Sequence, residues 1–306
     1  MLAMRTKNVE GLIHEIERFR LHDGPGIRTM VSLKGCSLRC EWCANPETQN
    51  PKPQLAFYSE KCVYCLDCVE RCPIGIHFKE TGKIKWDDCE QCFNCVEDCS
   101  YGAREFIGEY KNVDEVFDIV KRDRTFYNNS GGGLTISGGE PLAQFEFTRE
   151  LLKKAKAENI HTAVDTTGYV EWEKIKGVLD FIDLLLFDIK HLDSDKHKEK
   201  TGVGNELILE NAVKAAEKVK EMIVRVPLIP DYNDSLKHIK NLAKFVKEEL
   251  KDVNKVDLLP YHTIGVSKAA QIGMEYRFIG RNELEEGKVD KIKQILRFQG
   301  LDVSIS

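Results

Sequence analysis

The segment GCSLRCEWC, residues 35–43, carries three closely spaced cysteines, which are Cys36, Cys40 and Cys43. A structural metal site is closed by four protein ligands, whereas a catalytic site leaves one position free for a substrate. By the same reasoning, three thiolates on a cluster of four irons leave one iron open to a substrate. The spacing therefore predicts a 4Fe-4S cluster with an open iron. Three unrelated thiols, or a zinc site completed by a distant histidine, are the alternatives.

The other eight cysteines form two runs of the same spacing, CVYCLDCVERCP at 62–73 and CEQCFNCVEDCS at 89–100. This is the spacing of bacterial two-cluster ferredoxins, in which the fourth cysteine of each run binds the cluster of the other run. The second run has Ser100 where the first has Pro73, a position that provides no ligand. The predicted ligand sets are Cys62, Cys65, Cys68 and Cys99 for one 4Fe-4S cluster, and Cys89, Cys92, Cys95 and Cys72 for the other.

Two structural zinc sites are the alternative for these runs, because CxxC pairs are common in zinc knuckles. Zinc needs only two close pairs for each ion, whereas each run continues to a third and a fourth cysteine in ferredoxin register. The surrounding segment is short and poor in helical pattern, as expected where clusters replace a hydrophobic core. We therefore interpret residues 58–107 as an inserted ferredoxin-like module.

Composition narrows the class of protein. The 306 residues include 45 basic and 50 acidic residues, a net charge of −5 that gives no footprint of nucleic-acid binding. The first twenty residues lack the apolar stretch of a signal peptide, and no run of about 18 apolar residues occurs. We expect a cytoplasmic protein with neither a nucleic-acid nor a membrane partner, in which eleven cysteines favour metal chemistry over disulfides.

The remaining chain alternates aliphatic runs with helix-length segments. This alternation predicts an α/β fold with a parallel sheet, most simply a partial (β/α)6 TIM-like barrel with an inserted α+β ferredoxin-like module. The barrel comprises residues 1–57 and 108–306, and Asn112 is a candidate cap for a helix with apolar residues at Val113, Val116, Phe117 and Val120. The six predicted strands are GLIHEIE (11–17), LTIS (134–137), HTAVDT (161–166), DLLLFDIK (183–190), MIVRVPLI (222–229) and VDLLPYH (256–262).

Polar residues follow the predicted strands at the edge where barrel chemistry occurs. In SGGEP, Gly138 and Gly139 permit close backbone approach, and Glu140 offers a carboxylate to an ammonium group. Asp188 and Lys190 share one face of their strand and suit either a structural ion pair or a ligand carboxylate.

Three further polar residues end predicted strands. Asp165 precedes Thr166 at the end of its strand. An unpaired guanidinium is costly in an apolar strand, so Arg225 must face an anion or the barrel mouth. His262 follows LLPY, where a lone histidine is more often structural than ligand-binding.

The stretch HDGPGIRTMVSLKGCSLRCEWCANPET (22–48), with SGGEP, DTTG, DIK, VRVPLIP and LLPYH, resembles the glycyl radical enzyme activating enzymes. These form the pyruvate formate-lyase activating enzyme family of the radical S-adenosylmethionine (SAM) superfamily. The resemblance covers essentially the whole chain in order. The insert resembles that of the activators of glycerol dehydratase, choline trimethylamine-lyase and 4-hydroxyphenylacetate decarboxylase, which the pyruvate formate-lyase activator lacks.

The resemblance implies roles for individual residues. The three cysteines of residues 35–43 would hold the catalytic cluster, whose open iron binds the amino and carboxylate groups of SAM, and Asp23 would help to hold the incoming glycine loop. Asp165 and Asp188 would frame a monovalent cation, although DTTG departs from the family's DTNG form. The SAM contacts that it implies are Trp42, Cys43, Ala44, Gly138, Gly139, Glu140, Asp165, Asp188, Ile189, Lys190, Arg225 and His262.

The implied reaction is the activation of a partner. A flavodoxin or ferredoxin-type donor would supply one electron through the insert, SAM would be cleaved to methionine and a 5′-deoxyadenosyl radical, and this radical would take a hydrogen from the C-terminal glycine loop of a glycyl radical enzyme. A radical SAM enzyme acting on a small molecule or peptide is one alternative, which HDGPGIR disfavours. A ferredoxin-like electron carrier is another, which the intact cysteine loop disfavours.

Overall fold

A computed structural model of the chain describes residues 9–77 and 84–306. Its strands are β1 (Glu10–Arg20), β2 (Arg28–Leu33), β3 (Gln54–Phe57), β4 (Arg104–Ile107), β5 (Glu109–Asn112), β6 (Gly133–Gly138), β7 (His161–Thr166), β8 (Leu184–Asp188), β9 (Met222–Leu228), β10 (Lys255–Pro260) and β11 (Asp302–Ile305). Its helices are α1 (Asp67–Arg71), α2 (Asn94–Glu97), α3 (Val113–Val120), α4 (Arg124–Ser130), α5 (Phe145–Ala157), α6 (Trp172–Lys176), α7 (Ser194–Thr201), α8 (Glu206–Ala216), α9 (Leu236–Glu249), α10 (Ile264–Gln271) and α11 (Glu286–Phe298).

Nine strands form the main sheet, in the order β11-β10-β9-β8-β7-β6-β2-β1-β5. Every neighbouring pair from β2 to β11 is parallel. The sheet therefore brings the carboxyl ends of seven strands to one edge, as the predicted α/β class requires. No helix within residues 9–77 and 84–306 is long and apolar enough to cross a bilayer.

The prediction that GLIHEIE is the first parallel strand is wrong. That segment lies in β1, which runs antiparallel to both β2 and β5. Only seven residues, 21–27, separate β1 from β2, and a parallel crossover needs a dozen or more. The first strand of the parallel set is β2, which leads directly into the cysteine loop, and β11 adds a strand at the other edge.

The main core lies between the parallel strands and the helices that cover one face. Leu134, Val164 and Phe187 are fully buried there beside the apolar faces of α5, α8 and α9. Alternate residues point to the other face, where Ala163, Leu184 and Leu186 form a small separate apolar cluster. Polar side chains lie beyond this cluster, towards the carboxyl ends of the strands.

Helix α3 confirms the predicted cap at Asn112. The Asn112 side chain accepts the backbone N–H of Glu115 at 3.0 Å, and the Glu115 carboxylate accepts the backbone N–H of Asn112 at 2.8 Å. This reciprocal pair satisfies two donors that a helix start leaves unpaired. The four apolar residues predicted for this helix are all buried, namely Val113, Val116, Phe117 and Val120.

The cysteine-rich segment, residues 54–107, is built on a separate two-stranded sheet. Strands β3 and β4 pair antiparallel, from Gln54 opposite Ile107 to Phe57 opposite Arg104. The predicted insert, residues 58–107, thus shares its sheet with β3, which precedes it. The part of that prediction that falls on residues 78–83 lies outside the described residues.

Candidate active site

A cavity of about 590 Å³ opens at the carboxyl ends of the parallel strands. Its wall combines apolar side chains with acidic, basic and thiol side chains from β7, β8, β9 and the loop after β2. The sequence-predicted site residues that line it are Asp23, Cys36, Cys40, Trp42, Cys43, Ala44, Gly138, Gly139, Asp165, Asp188, Lys190, Arg225 and His262. The fold therefore gathers almost the whole predicted set around one space.

The cysteine loop is anchored by its backbone to two parts of the chain, the segment after the loop and the end of α7. The N–H of Gly35 donates to the carbonyl of Thr48 at 2.7 Å, and that of Cys36 to Gln49 at 3.1 Å. The N–H of Arg39 donates to the carbonyl of Thr201 at the end of α7, at 2.7 Å. These bonds fix the loop before any ligand is present.

The three thiols lie on the wall of the same cavity. Burial is the main reason that the pKa of Cys36 and of Cys40 rises to about 12, and the charge of Glu140 contributes to the rise at Cys36. At neutral pH these groups are therefore protonated unless a metal binds them, because a coordinating thiol loses its proton. Three such donors on one short loop fit a cluster site that the protein leaves incomplete.

The glycine pair of SGGEP lies directly against this loop. A Cβ on Gly139 would come within 2.5 Å of the carbonyl oxygen of Gly35, and one on Gly138, whose φ is +118°, within 2.3 Å of the backbone of Leu33. The N–H of Gly139 donates to Leu33 at 2.9 Å. The close backbone approach predicted from the sequence is therefore present, and side chains at these positions would push the cysteine loop away.

The carboxylate of Glu140, in SGGEP, is bound by other residues of the chain. Its carboxylate is buried and accepts from Thr166 Oγ1 (2.8 Å), Thr167 Oγ1 (2.6 Å), and the backbone N–H groups of Thr167 (2.9 Å) and Leu142 (3.1 Å). Burial raises the pKa of Glu140, and these donors oppose the rise. Glu140 does not line the cavity. Its carboxylate joins the end of β6 to Thr166 and Thr167 at the end of β7, and its contact with an ammonium group stays a prediction.

Arg225 pairs across the inner face of the sheet with Asp165. Nη1 of Arg225 lies 2.8 Å from Oδ2 of Asp165, which also accepts Ser137 Oγ at 2.9 Å. The Nε of Arg225 is 3.8 Å from Asp257 and makes no hydrogen bond. The requirement that Arg225 face an anion is thus met by two acidic neighbours, Asp165 and Asp257.

Asp188 and Lys190 form a buried ion pair at the end of β8, with 2.6 Å between Oδ2 and Nζ. Burial would lower the pKa of Lys190, but the Asp188 carboxylate outweighs this and raises it. The ammonium therefore stays charged at the cavity wall. Between them, Ile189 is buried in the main core, so only its backbone can reach a ligand.

His262 and Trp42 close one side of the cavity. Nδ1 of His262 is buried without a hydrogen-bond partner, which is costly unless a ligand or water supplies one. The Trp42 ring packs against Tyr232, with 4.8 Å between ring centroids. Asp23 also lines the cavity, and its carboxylate accepts a hydrogen bond from Arg20 Nε at 2.9 Å.

The eight cysteines of the cysteine-rich segment surround two further cavities. The Cys62 cavity is lined by the cysteines Cys62, Cys65, Cys68 and Cys99. The Cys72 cavity is lined by Cys72, Cys89, Cys92 and Cys95. The fold thus brings together both sets predicted from the ferredoxin spacing, including the exchanged fourth cysteine of each run.

The backbone between these cysteines repeats in the two runs. Tyr64 and Leu66 have φ of +58° and +71°, and Gln91 and Phe93, at the equivalent positions, have +55° and +63°. Left-handed conformations cost non-glycine residues about 1 kcal/mol or more each. Such strain persists where the surroundings require it, and a backbone wrapped around a bound cluster is one such requirement.

Sequence reasoning missed several cavity residues. The side chain of Gln49 hydrogen-bonds the thiol of Cys43, and Lys268 of α10 donates to Asn45 and Glu47 at 2.7 Å each. Asn45 and Gln49 follow the cysteine loop closely, a position that could have identified them. Lys268 carried no such signal, because α10 reaches the loop only through the tertiary fold.

Comparison with known proteins gives the family. The model of the Radical SAM superfamily matches residues 30–246. The chain belongs to this superfamily. Membership implies a 4Fe-4S cluster and SAM, which agrees with the cysteine loop on the main cavity. The Sphaerobacter thermophilus radical SAM methyltransferase has a similar fold, with a TM-score of 0.54, 14% identity, and coverage of 96% of this chain and 76% of that one.

Curated relatives narrow the class. The chain is 39% identical to choline trimethylamine-lyase activating enzyme of Oleidesulfovibrio alaskensis, over 97% of this chain and 98% of the relative. It is 40% identical to 4-hydroxyphenylacetate decarboxylase activating enzyme of Clostridioides difficile, over 96% of each. It is also 40% identical to (2S)-3-sulfopropanediol dehydratase activating enzyme of Klebsiella oxytoca, over 87% of this chain and 87% of the relative. The protein is therefore an oxidoreductase of the class of glycyl radical enzyme activating enzymes.

Proposed function

We propose that this chain cleaves SAM reductively and removes a hydrogen atom from a glycine in the C-terminal loop of a partner glycyl radical enzyme. The observation that carries the proposal is the position of Cys36, Cys40 and Cys43 together on the wall of one cavity of about 590 Å³. These cysteines would hold a 4Fe-4S cluster, which would supply the electron for cleavage of SAM to methionine and the 5′-deoxyadenosyl radical that takes the glycine hydrogen.

The residues of the cavity wall would bind and orient SAM. Lys190, held by Asp188, and the guanidinium of Arg225 suit the carboxylate and ribose region. His262, on the same wall, would contact the cofactor, and the backbone of Trp42 to Ala44 would meet the adenine. Asp23, which also lines the cavity, suits the backbone of an incoming glycine loop, and the cavity would shield a radical from water.

The cysteine-rich segment would hold two more clusters, one in the Cys62 cavity and one in the Cys72 cavity. Support comes from the four cysteines around each cavity and from the repeated left-handed backbone. A flavodoxin or ferredoxin-type donor would provide the electron. Asp165 and Asp188 remain candidates for a monovalent cation, which Arg225 already partly replaces at Asp165.

Anaerobic reconstitution tests this proposal. The wild type should bind about twelve irons, and Cys36→Ala should lose about a third of them and all cleavage of SAM. Cys65→Ala is the matched control, since it should also lose about a third of the iron but keep cleavage with a chemical reductant. Electron paramagnetic resonance should then detect a glycyl radical in the partner. Cleavage by Cys36→Ala at the wild-type rate would refute the assignment.

A further inference from the structure

The two cysteine cavities lie at different distances from the cysteine loop. Lys34, which precedes this loop, donates from Nζ to Oε1 of Gln54 at 2.8 Å, so Gln54 marks the barrel end of the β3–β4 pair. The next residue, Leu55, lines the Cys72 cavity. Arg104, which pairs with Phe57 two residues further along the strand, lines the Cys62 cavity. The register thus places the Cys72 cavity nearer the barrel, by about 7 Å of strand.

Helix α10 provides a second link between the same two places. At its start, a Cβ on Gly265 would come within 2.2 Å of the carbonyl oxygen of Cys43. Just after its end, a Cβ on Gly273 would come within 2.1 Å of the indole ring of Trp86. Gly273 follows Gly265 by eight positions, which corresponds to a rise of about 12 Å along a helix. The helix therefore spans from the cysteine loop to the cysteine-rich segment.

Both ends of α10 adjoin residues that are packed in apolar clusters. The backbone N–H of Cys89 donates to the carbonyl of Trp86 at 3.2 Å, and the Trp86 ring packs on the apolar cluster that includes Cys72 and Cys89. At the other end, Tyr276 lies against Gly265 and is buried in one cluster with Trp42. Tightly packed groups thus continue from the Cys72 cavity to the cysteine loop.

The Cys62 cavity has a different environment. Its lining residues Val63, Tyr64 and Tyr101 are 52%, 58% and 54% exposed. Of its cysteines, Cys68 packs on the same apolar cluster as Trp86, whereas Cys62, Cys65 and Cys99 are not among the described residues of that cluster. Exposed aromatic rings beside a redox site suit the brief docking of a soluble electron donor.

We propose that Trp86, Gly273 and α10 are positioning elements that make the Cys72 cavity the inner electron site, and that the Cys62 cavity is the outer site. The inference rests on the proposed function and its three clusters. With clusters bound, the four cysteines of the Cys62 cavity would hold the group that takes one electron from a donor of the flavin or iron–sulfur class, and those of the Cys72 cavity the group that takes this electron on. The cluster held by Cys36, Cys40 and Cys43 would be the final acceptor, with one electron used for each SAM cleaved, and no bond to the protein would form or break.

The proposed order of the sites is tested by measuring how many equivalents of SAM the pre-reduced protein cleaves. Protein reduced at all three sites and freed of reductant should cleave three equivalents of SAM. Cys65→Ala, which opens the outer site, should cleave two. Cys92→Ala, its counterpart in the second run, should cleave one and leave an electron at the outer site, visible as a persistent paramagnetic signal. The reverse result for the two variants would overturn the proposed order.

The positioning role of the contact between Gly273 and Trp86 is tested by substituting two glycines. Gly273→Ala displaces the Trp86 ring, whereas Gly280→Ala, at a similar φ of +76°, meets nothing within 4 Å. In reduced protein with full iron content, Gly273→Ala should weaken the magnetic coupling between the cysteine-loop cluster and its neighbour, and Gly280→Ala should not. Equal coupling in both variants would refute a positioning role.

These measurements separate the inference from the function on which it rests. Magnetic coupling needs no SAM, so it reports the order of the sites even if the wild type fails to cleave SAM. A wild type that cleaves no SAM with all three sites reduced would refute the proposed function. A wild type that cleaves three equivalents while Cys92→Ala cleaves two would refute the order alone.

Discussion

The main sheet and the cysteine-rich segment differ in what fills their interiors. The sheet surrounds a large apolar core with fully buried residues such as Leu134, Phe147 and Phe187. The apolar cluster of the cysteine-rich segment, among its described residues, has only Leu55, Ile76, Ile84 and Cys95 as buried members, and cysteines form much of its edge. A region with so little apolar burial needs another source of stability, such as bound metal.

The same difference appears in the backbone. The main cavity is held by parallel strands and by hydrogen bonds that are complete in the chain itself, such as those of Gly35 and Cys36. The two runs of the cysteine-rich segment carry four left-handed non-glycine residues between their cysteines. Folding of the barrel should therefore precede metal binding, whereas folding of the cysteine-rich segment should depend on it.

Removal of iron should have the largest effect. In metal-free protein the cysteine-rich segment should lose its protection from hydrogen exchange, because metal-binding energy is the folding energy of such modules. Strands β6 to β9 should stay protected, since their core has no cysteine. Hydrogen exchange with mass spectrometry measures both in one sample. Equal protection of residues 54–107 with and without iron would contradict this view.

Truncation of the barrel core should come next. Phe187→Ala should lower the free energy of unfolding of the barrel by about 3–5 kcal/mol, because Phe187 is fully buried in the main core. Phe298, at 89% exposure, gives the control, and Phe298→Ala should change stability by less than about 0.5 kcal/mol. Denaturant unfolding followed by circular dichroism measures the difference. Similar losses in the two variants would argue against this description of the core.

The two regions also differ in how far the sequence predicted them. The bounds of β7 match the predicted HTAVDT, because an aliphatic strand flanked by helix-length segments is a local signal. The four cysteines of each predicted set line one cavity, because the spacing within each run is a local signal too, and their role as cluster ligands stays a prediction. The direction of β1 was predicted wrongly, since alternation along a strand carries no information on direction. Only the short connection of residues 21–27 excludes a crossover.

Contacts between distant parts of the chain were beyond the sequence argument. Nothing in SGGEP indicates that the carboxylate of Glu140 is fully used by Thr166 and Thr167 of the next strand end. Nothing near Gly273 indicates that Trp86 covers it. The sequence predicted many of the residues that line the main cavity, but not that Glu140 lies outside its lining with a carboxylate that other residues of the chain already satisfy.

Glu140→Gln tests whether the hydrogen bonds of the Glu140 carboxylate stabilise the barrel, and its effect should be smaller than that of Phe187→Ala. An amide in place of one carboxylate oxygen would face N–H and O–H donors, which should lower the free energy of unfolding of the barrel by about 1–3 kcal/mol. SAM binding should weaken as well, because the side chain at position 140 would hold Thr166 and Thr167 of DTTG less tightly beside SGGEP. Glu146→Gln on the exposed face of α5 is the control and should change neither quantity. Equilibrium unfolding and calorimetric titration with SAM would measure them, and an unchanged stability would mean that the four hydrogen bonds contribute little.

The smallest effect should come at the boundary between the two regions, where the chain leaves β5 and begins α3. Asn112→Ala removes one half of the capping box and should lower the free energy of unfolding of the barrel by about 1 kcal/mol. Because α3 packs on the main core and not on the cysteine cavities, the iron content and the visible spectrum should stay as in the wild type. Asn112→Ser, which keeps a capping oxygen, should recover most of the loss. If the alanine variant instead released iron, the two regions would fold as one unit, and their different interiors would not correspond to separate stabilities.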